Sequence, residues 1–353
     1  MKNILKAVIK KAWQEESVKR FHLMHQKEAD KILNVLKIEN GKLNPKFHKL
    51  SKEYAQDVFG NKYFAPWLHV YSEIAGVFKE GWIPDNYYGL YVVPYKSSFF
   101  GILNSGVKTL TMKLLNTKRL PDIAYYVSGL FFTTTWEVIP ADDIKKYLFH
   151  HHDKVVYKED TSFQGKGIHI FTKETFDIVK IRAIGNGVFQ SYIKQHGFFD
   201  EIMPDAVATL RLTSVIEDTG KASCRAAIMR FGRKNDLYCK WTADIKIPVD
   251  VQTGQINEKG YLPDWRTVNC HPDTHVAFQG KVIPKFQDCV EMALHMHQII
   301  PFTRSIGWDL IVNEKEEIQL MELNGGNNDI KFSEATQGPC FADMGWENLW
   351  KGC

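Results

Sequence analysis

Three things are scarce in this sequence: cysteine, net charge and long apolar runs. The six cysteines among 353 residues lie apart, with no Cys-x-x-Cys pair and no spacing typical of a zinc site. Scattered cysteines in a chain of this length are typical of reduced thiols. We therefore expect a cytoplasmic protein with reduced thiols.

The missing features also limit the partners. No apolar run approaches the roughly 18 residues of a spanning helix, and no signal-peptide pattern is present. The formal net charge is only +4, and the sequence carries no DNA- or RNA-binding motif, so we expect no nucleic-acid partner. Apolar residues at 44% and charged residues at 24% are ordinary for a soluble globular protein with a sizeable core.

The N-terminal part is predicted to be helical. Residues 3 to about 37 place Leu5, Val8 and Trp13 on one helical face and most of the lysines elsewhere. A basic amphipathic helix can lie on an anionic membrane surface, here the inner face of the membrane. The alternative is that it packs against the rest of the chain or a second subunit, as in a homodimer. Two further helical patterns follow between residues 47 and 80.

From Val155 onward, short β-branched and aromatic runs separated by turns predict strands. The predicted strands are Val155–Lys158, Ile168–Phe171, Val188–Ile193, Ala206–Ile216, Ser223–Phe231 and Tyr238–Val251, after an earlier strand region at Ile123–Thr135. Phe286–Ile299 is predicted to be a helix, and Asp142–Phe149 a shorter one. This pattern predicts an α+β fold around antiparallel sheet.

Two neighbouring predicted strands, residues 307–312 and 318–326, carry acidic residues in an apolar context. Asp309 precedes Glu322 by thirteen residues, and Asn324 shares a strand face with Glu322. A hairpin would bring these three oxygen-bearing side chains together, as Mg²⁺ requires when it also holds phosphates. A surface hairpin with solvated acids is the alternative. Apolar neighbours such as Met321 and Leu323 favour burial, and a buried carboxylate needs a partner.

This Asp…Glu-x-Asn motif followed by glycines resembles the metal-binding end of the ATP-grasp superfamily. The segment from His271-Pro272 through Ile283-Pro284 to Asp309 is similar to its sugar-transfer-associated branch. The resemblance implies an ATP-grasp fold, with two α+β subdomains gripping ATP. It also implies an N-terminal helical extension (residues 1–85), an N-terminal subdomain (86–153) and an ATP-grasp domain (154–345). The implied cofactors are ATP and Mg²⁺, with Mn²⁺ as an alternative ion, held by Asp309, Glu322 and Asn324.

The predicted strand Val155–Lys158 ends in a lysine, and a glycine-rich segment follows it. Lys158 ends the predicted strand, and Gly165, Lys166 and Gly167 lie in the following loop. By itself, Gly-Lys-Gly is most often a hairpin turn. The resemblance implies that Lys158 binds nucleotide and that the residues Gly165 to Gly167 form a loop that closes over the phosphates, with backbone amides and lysine charge facing them.

The adenine hinge of the family resembles the segment that contains Gln190, Ser191, Tyr192 and Ile193, although Gln190 stands where relatives often carry an acid. An ordinary core strand explains the apolar residues equally well. The resemblance also makes Lys108 a nucleotide-contacting lysine, with Lys113 as the alternative.

Two arginines alternate out of apolar strands, Arg211 in Thr-Leu-Arg and Arg230 in Arg-Phe-Gly-Arg. A guanidinium within a sheet needs an anionic partner, and phosphate suits its geometry. The resemblance implies a catalytic role for both, with Arg211 the stronger candidate for binding the transferred phosphate. The alternative is a structural salt bridge with a nearby Asp or Glu.

The histidines are not expected to form a site. His150, His151 and His152 are consecutive, so they cannot all face one ion on a regular element, and we expect a solvated loop. His295 and His297 lie two apart on the predicted helix and are expected to pack.

The resemblance implies an ADP-forming carboxylate–amine ligase that makes an amide through an acyl phosphate. Its substrates would be a small-molecule carboxylate and an amine, with sugar-linked compounds among the candidates, in cell-surface polysaccharide or related conjugate biosynthesis. Two other interpretations stay open: a phosphotransferase that acts on a hydroxyl, and a non-catalytic, membrane-associated assembly protein.

Overall fold

The computed structural model describes residues 2–97, 106–162, 167–236, 238–240 and 242–352. The chain divides into two compact units. The first comprises Met1–Tyr95, Asp264–Arg266 and Asp329–Cys353, and the second comprises Lys96–Pro263 and Thr267–Asn328.

The helices, in chain order, are α1 (Lys2–Asn40), α2 (Pro45–Phe59), α3 (Ala65–Ala75), α4 (Asp85–Tyr87), α5 (Val93–Lys96), α6 (Thr111–Leu114), α7 (Ile144–Leu148), α8 (Ile178–Ile184), α9 (Gly197–Ile202), α10 (Phe286–Ile299) and α11 (Lys331–Thr336). Short 3₁₀ segments occupy Lys62–Phe64, Lys108–Leu110 and Trp346–Gly352, and Tyr88–Val92 is π-helical. None of the helices in the described ranges is both long enough and apolar enough to cross a membrane.

Local sequence explains the helix boundaries in the first unit. The side chain of Asn44 accepts a hydrogen bond from the Lys46 amide, and Pro45 occupies the first turn of α2. The helix ends at Gly60, which has a φ of +70° and whose missing Cβ would come within 2.7 Å of the Trp350 ring. Both the conformation and the contact therefore require glycine there.

Helix α1 packs through its second half. His22, His25, Ala29, Ile32, Leu33 and Leu36 are buried, whereas residues 15–20 are exposed. The Trp67 indole on α3 donates to Nδ1 of His25 at 3.0 Å. Packing within the first unit therefore accounts for this part of the long apolar pattern.

A buried carboxylate ties α11 to the rest of the first unit. Glu334 is fully buried, and its two carboxylate oxygens accept hydrogen bonds from the Ile83 and Cys340 amides, each at 2.7 Å. The Trp82 indole donates to the Glu334 carbonyl oxygen at 2.8 Å. The carboxylate thus satisfies two backbone donors that have no helix or sheet partner.

The second unit contains two antiparallel sheets. The strands are β1 (Asp122–Val127), β2 (Leu130–Thr133), β3 (Val138–Ile139), β4 (Lys154–Glu159), β5 (Ile168–Thr172), β6 (Gly187–Ser191), β7 (Thr209–Ile216), β8 (Ala222–Phe231), β9 (Ile245–Val249), β10 (Gly260–Tyr261), β11 (Thr267–Val268), β12 (Ser305–Val312) and β13 (Ile318–Asn324). The six-stranded sheet has the order β3-β2-β1-β6-β4-β5, and the seven-stranded sheet the order β11-β10-β9-β8-β7-β12-β13.

Each sheet buries one face under helices. Tyr157 and Phe189 of the six-stranded sheet share a core with Ile144 and Leu148 of α7 and with Ile181 of α8. On the seven-stranded sheet, Trp308, Leu212, Ala227 and Val249 form a core with residues of α10 such as Val290 and Ala293. The other face of the six-stranded sheet includes Lys158 and Gln190, and that of the seven-stranded sheet includes Arg211 and Asp309.

The α+β prediction is correct, and most predicted elements are present. The prediction of a strand over Tyr238–Val251 is wrong in length, because β9 covers only Ile245–Val249. The Asp244 amide donates to the Lys240 carbonyl at 2.8 Å, which closes a turn before the strand. Because β1 pairs with β6, the six-stranded sheet also spans residue 153, where one domain boundary is predicted.

Candidate nucleotide and metal site

The hairpin of β12 and β13 places the predicted metal ligands side by side. Asp309 lies directly opposite Glu322, and Gly307 lies opposite Asn324. The register shifts between Asp309 and Leu310, which leaves Met321 as an extra residue in β13. The two carboxylates and the amide therefore belong to neighbouring positions at one end of the hairpin.

Asp309 is held by an arginine on the adjacent strand. Arg211, opposite Asp309 in the β7–β12 pair, donates from Nε to Oδ1, and from Nη2 to Oδ2 at 2.8 Å. Burial alone would raise the pKa of Asp309, but Arg211, Arg230 and Lys158 outweigh it, so this pKa lies below its ordinary value. Asp309 is therefore ionised and oriented at neutral pH.

Two lysines approach Glu322 from the other sheet and its preceding segment. The Lys108 ammonium lies 3.8 Å from a carboxylate oxygen of Glu322 and donates to the Ser162 carbonyl at 2.8 Å. Burial lowers the pKa of Lys158, against the opposing effect of Glu322 and Asp122. Burial raises the pKa of Glu322, and Lys108 and Lys158 oppose this. The charges of these three groups are thus coupled.

One pocket collects several of the predicted residues. It is lined by Lys108, Thr111, Leu120, Lys158, Gln190, Met321, Glu322 and Leu323. The structure thus brings both predicted lysines, one hinge residue and one metal ligand around a single space. Lys113, the alternative to Lys108, is exposed and lies over the Trp136 ring instead.

The predicted hinge spans the end of β6, because Gln190 and Ser191 belong to the strand and Tyr192 and Ile193 follow it. The Ser191 amide donates to the Pro121 carbonyl at 2.8 Å, and Lys154 lies over the Tyr192 ring. Tyr192 and Ile193 pack against the core of the seven-stranded sheet. Ser191, Tyr192 and Ile193 therefore link the two sheets of this unit.

Asp122 is a residue of this region that the sequence analysis missed. Its Oδ1 accepts a hydrogen bond from the side-chain nitrogen Nε2 of Gln190 at 2.8 Å, and its Oδ2 accepts one from the Tyr125 hydroxyl at 3.0 Å. Burial raises the pKa of Asp122 to about 6, although both hydrogen bonds act in the opposite direction. In the sequence, Asp122 is distinguished only as a polar residue at the start of a strand. Its pairing with Gln190 depends on the fold.

The second arginine also has an acidic partner. Nε of Arg230 donates to Oδ2 of Asp244 at 2.5 Å, and Asp244 is fully buried. The salt bridges that were the alternative for both arginines are thus present. They engage different numbers of nitrogens: Arg211 uses two, whereas Arg230 uses Nε alone among its contacts with the described residues.

The glycine-rich loop is described only at its end. The predicted residues Gly165 and Lys166 lie outside the described residues. The Gly167 carbonyl accepts from the Glu159 amide at 2.9 Å, and a Cβ there would come within 2.4 Å of the Ser162 Cβ. Close packing against Ser162 therefore requires glycine at position 167.

The histidines behave in different ways. His150, His151 and His152 line an open groove together with Lys146 and Tyr147. His297 is buried between the Ser214 hydroxyl and the Thr303 carbonyl, each at 2.7 Å, as expected for a packing residue. The same expectation is wrong for His295, which is exposed because it faces away from the sheet.

The donor set fits a hard cation. The candidate ligands are two acids, Asp309 and Glu322, and one amide, Asn324. Among the described residues, no group of three His, Cys, Asp or Glu side chains is placed to hold a metal ion. Nδ2 of Asn324 is buried without a hydrogen-bond partner among the described residues, and a phosphate oxygen or water would satisfy it. Oxygen ligands that leave positions open suit Mg²⁺ bound to phosphates.

Comparison with known families gives one match. The model of the sugar-transfer associated ATP-grasp family matches residues 108–341, which is more than half of the chain. No curated protein matches significantly.

Solved structures give weaker likenesses. A biotin carboxylase from Campylobacter jejuni in complex with a β,γ-ATP compound is 11% identical, with a TM-score of 0.45. The match covers 83% of this chain and 58% of the carboxylase chain. A ligase of the ATP-grasp type from Chryseobacterium gregarium, bound to ADP and a leader and core peptide, is 13% identical with a TM-score of 0.39, covering 73% and 63%. The chain spans about half the length of several such structures. For example, the match covers 45% of the chain of an N5-carboxyaminoimidazole ribonucleotide synthetase.

Proposed function

The chain belongs to the sugar-transfer associated ATP-grasp family, and we propose that it is an ATP- and Mg²⁺-dependent carboxylate–amine ligase. The observation that carries the proposal is the convergence of Lys108, Lys158 and Glu322 on one pocket, with Asp309 opposite Glu322. Cationic and anionic groups in this arrangement suit a nucleotide bound through a metal.

In the proposed reaction, an oxygen of the substrate carboxylate attacks the γ-phosphorus of ATP, and the bond to the β–γ bridging oxygen breaks to release ADP. The amine then attacks the acyl carbon, loses a proton, and displaces inorganic phosphate, leaving an amide. Magnesium, when bound, supplies positive charge to the phosphate oxygens. We assign Asp309, Glu322 and Asn324 to holding this ion.

Four cationic side chains of this protein would stabilise the remaining negative charge of the phosphates. Lys108 and Lys158 bind and orient the phosphates, and Arg211 and Arg230 stabilise charge on the transferred phosphoryl group. Gln190 to Ile193 would hold adenine, and the loop that includes Gly165, Lys166 and Gly167 would cover the phosphates. Fixed donors of this kind are the main requirement of phosphoryl transfer, since little covalent chemistry falls to the protein.

The wider role follows from the family's description alone. We propose that the amide forms in cell-surface polysaccharide or related conjugate biosynthesis, in the cytoplasm, from small sugar-linked or free carboxylates and amines. Mn²⁺ would replace Mg²⁺ without a change of ligands. Membrane contact through α1 and a homodimer stay predictions.

Trapping the acyl phosphate tests the proposal. Hydroxylamine captures acyl phosphates as hydroxamates, so a panel of carboxylates with ATP and Mg²⁺ should give an ATP-dependent hydroxamate for at least one member. Glu322→Ala should abolish this product, because the metal loses a ligand. Glu314→Ala, an exposed acid in the turn between the same strands, should retain it.

Other outcomes would point to the other interpretations. A stable phosphorylated product without hydroxamate would show a phosphotransferase acting on a hydroxyl. Biological activity that survives in Glu322→Ala, together with complete loss of ATP turnover, would favour a non-catalytic assembly protein.

A further inference from the structure

Two neighbouring strands of the six-stranded sheet bring an acid and an amide together at the wall of the nucleotide pocket. Asp122, at the start of β1, lies opposite Gln190 on β6. Gln190 is only 3% exposed and lines the pocket, whereas Asp122 is partly exposed beside it. The arrangement of this pair therefore decides which atoms Gln190 presents to a bound molecule.

A bulge in β1 gives Asp122 a second partner on the same side of the sheet. The register of β1 and β6 shifts between Asp122 and Ala124, which leaves Ile123 as an extra residue. Asp122 and Tyr125 therefore project to the same side although they are three residues apart, and the Tyr125 hydroxyl donates to Oδ2 at 3.0 Å. The carboxylate is thus held at both of its oxygens.

The same side of the sheet carries the lysine that we assign to the phosphates. Lys158 pairs with Val188, which stands two residues before Gln190 on β6, and residues two apart on a strand face the same way. The opposite side holds Tyr157 and Phe189 in the core. Gln190 and Lys158 therefore belong to one functional face.

The carboxylate of Asp122 fixes which end of the Gln190 amide faces it. Oδ1 of Asp122 accepts a hydrogen bond from Nε2 of Gln190 at 2.8 Å. Burial raises the pKa of Asp122 to about 6, so at pH 8 the carboxylate is ionised and can only accept hydrogen bonds. The reverse orientation of the amide would set two acceptors against each other, and the nitrogen must therefore face Asp122.

This orientation leaves the amide oxygen for the pocket. Oε1 of Gln190 accepts no hydrogen bond from any of the described residues. The oxygen and nitrogen of an amide lie on diverging bonds from one carbon, so Oε1 points away from Asp122. Because Gln190 lines the pocket, Oε1 is an acceptor that a bound molecule meets there.

An acceptor at this wall distinguishes the purine bases. Leu120, Met321 and Leu323 give the pocket apolar surface against which a flat ring can pack. Adenine carries an amino group, a donor, at position 6, whereas guanine and hypoxanthine carry an oxygen there. Two facing acceptors would both lose a partner away from water, which is costly. An inward-facing Oε1 therefore favours adenine.

We propose that Asp122 is a positioning residue that holds the Gln190 amide with its oxygen towards the base, so that the site selects ATP over ITP and GTP. This inference rests on the proposed function, since it requires a nucleotide in this pocket. It adds a residue that acts through Gln190 without contacting the nucleotide, and it gives a physical reason for the choice of base.

Calorimetry with Mg²⁺ at pH 8 tests the proposal by comparing ATP with ITP and GTP. The wild type should bind ATP at least about 10-fold more tightly than ITP, as expected for one hydrogen bond gained and two facing acceptors avoided. Asp122→Ala should lower this ratio to about 3-fold or less, because the amide can then reverse and donate to the oxygen of ITP. A purely structural loss would weaken both nucleotides alike and leave the ratio in place.

Two further proteins serve as controls. Asp143→Ala removes an exposed acid that lines the same open groove as Asp122, and it should leave the ratio unchanged. In the double variant Gln190→Glu with Asp122→Asn, the asparagine donates to one oxygen of the glutamate, and the other oxygen still faces the base. This variant should therefore keep the preference for ATP that Asp122→Ala loses.

Asp122→Asn alone covers the case in which Asp122→Ala does not fold. Asparagine has the shape of aspartate, but its side chain both donates and accepts, so the Gln190 amide can take either orientation. The ratio of ATP to ITP affinity should therefore fall at least about 3-fold from the wild-type value. An unchanged ratio in this folded variant would overturn the proposal.

The outcomes separate this inference from the proposed function. If the wild type binds ATP without preferring it to ITP, or if the ratio stays the same in both variants of Asp122, the positioning role is overturned while the nucleotide site stands. If no nucleotide binds to the wild type, the proposed function fails and the inference fails with it.

Discussion

The ammonium of Lys158, on the six-stranded sheet, donates a hydrogen bond of 3.1 Å to the carbonyl oxygen of Met321, on the seven-stranded sheet. Met321 is the extra residue at the shift of register in β13 and directly precedes Glu322. A single lysine therefore spans the two sheets beside the candidate metal ligand. Lys158 therefore ties the alignment of the two sheets to the nucleotide site that we propose.

Replacing Lys158 by methionine should weaken ATP binding by at least about 10-fold and turnover by more, because a buried cation beside the phosphates is lost. Isothermal titration calorimetry with ATP and Mg²⁺ measures the first effect. Lys173→Met, an exposed lysine in the turn after β5 of the same sheet, is the matched control. Equal affinities in the two variants would remove Lys158 from the site.

Metal dependence should distinguish Glu322 from a general structural acid. In Glu322→Gln, ATP affinity in the presence of Mg²⁺ should fall about 10-fold or more, because a ligand loses its charge. Without Mg²⁺ the variant should bind ATP no worse than the wild type, since a negative charge is removed near the phosphates. Calorimetry with and without Mg²⁺ gives both values, and Glu314→Gln should match the wild type.

Arg211→Met should shift the pH dependence of Mg²⁺-dependent ATP binding. Arg211 holds the pKa of Asp309 below its ordinary value against the effect of burial, so its removal raises that pKa. Protons then compete with the metal at higher pH, and the pH of half-maximal binding should rise by about 1 unit or more. Arg225→Met, a substitution on β8 that breaks a 3.0 Å ion pair with Glu217, should leave the pH profile in place.

Gln190→Glu should destabilise the protein by about 2–3 kcal/mol at pH 8, because it puts a second carboxylate against the buried Asp122 and removes a donor. The pKa of Asp122 is about 6 from burial, so the effect should shrink at pH 5, where protonation relieves the repulsion. Adding Asp122→Asn restores a donor and should recover most of the loss. Urea unfolding at both pH values measures these changes, and additive effects of the two substitutions would contradict the pairing.

Glu334 should make stability fall as the pH rises. Burial raises its pKa to about 7, above the value of about 4.3 for an unfolded chain, so the folded state holds an extra proton between these values. Its contribution is therefore greatest below about pH 4.3 and is lost towards pH 7, a change on the order of 3 kcal/mol. Glu334→Gln should flatten the difference between unfolding at pH 5 and pH 7.5. The exposed Glu80→Gln should keep the wild-type slope.

Sequence patterns predicted the elements well where the periodicity was long. The bounds of α10 match the predicted Phe286–Ile299, and the hairpin with Asp309 and Glu322 pairs as its alternation indicated. The short helices α8 and α9 were missed, because six or seven residues carry too little periodicity to separate them from loops.

The partners of the charged residues could not be predicted. Arg211 and Asp309 are 98 residues apart, and Asp122 and Gln190 are 68 apart, so only the order of strands brings them together. The sequence did not indicate Asp244 as a partner of Arg230, because the turn before Asp244 was predicted to be part of a longer strand. The sequence therefore indicated which residues belong to the candidate site, whereas the hydrogen bonds between them depend on the order of strands in the sheets.

The strand order of the seven-stranded sheet also affects synthesis of the chain. Strands β7 to β11 are complete by Val268, but β7 ends at Ile216 and its second neighbour, β12, begins only at Ser305. Until that segment leaves the ribosome, β7 is an edge strand whose unpaired backbone and apolar residues Leu210 and Leu212 invite pairing with other chains. A nascent chain shorter than this is therefore expected to depend on chaperones, and the strands that carry the candidate metal ligands join the sheet only in the last stage of folding.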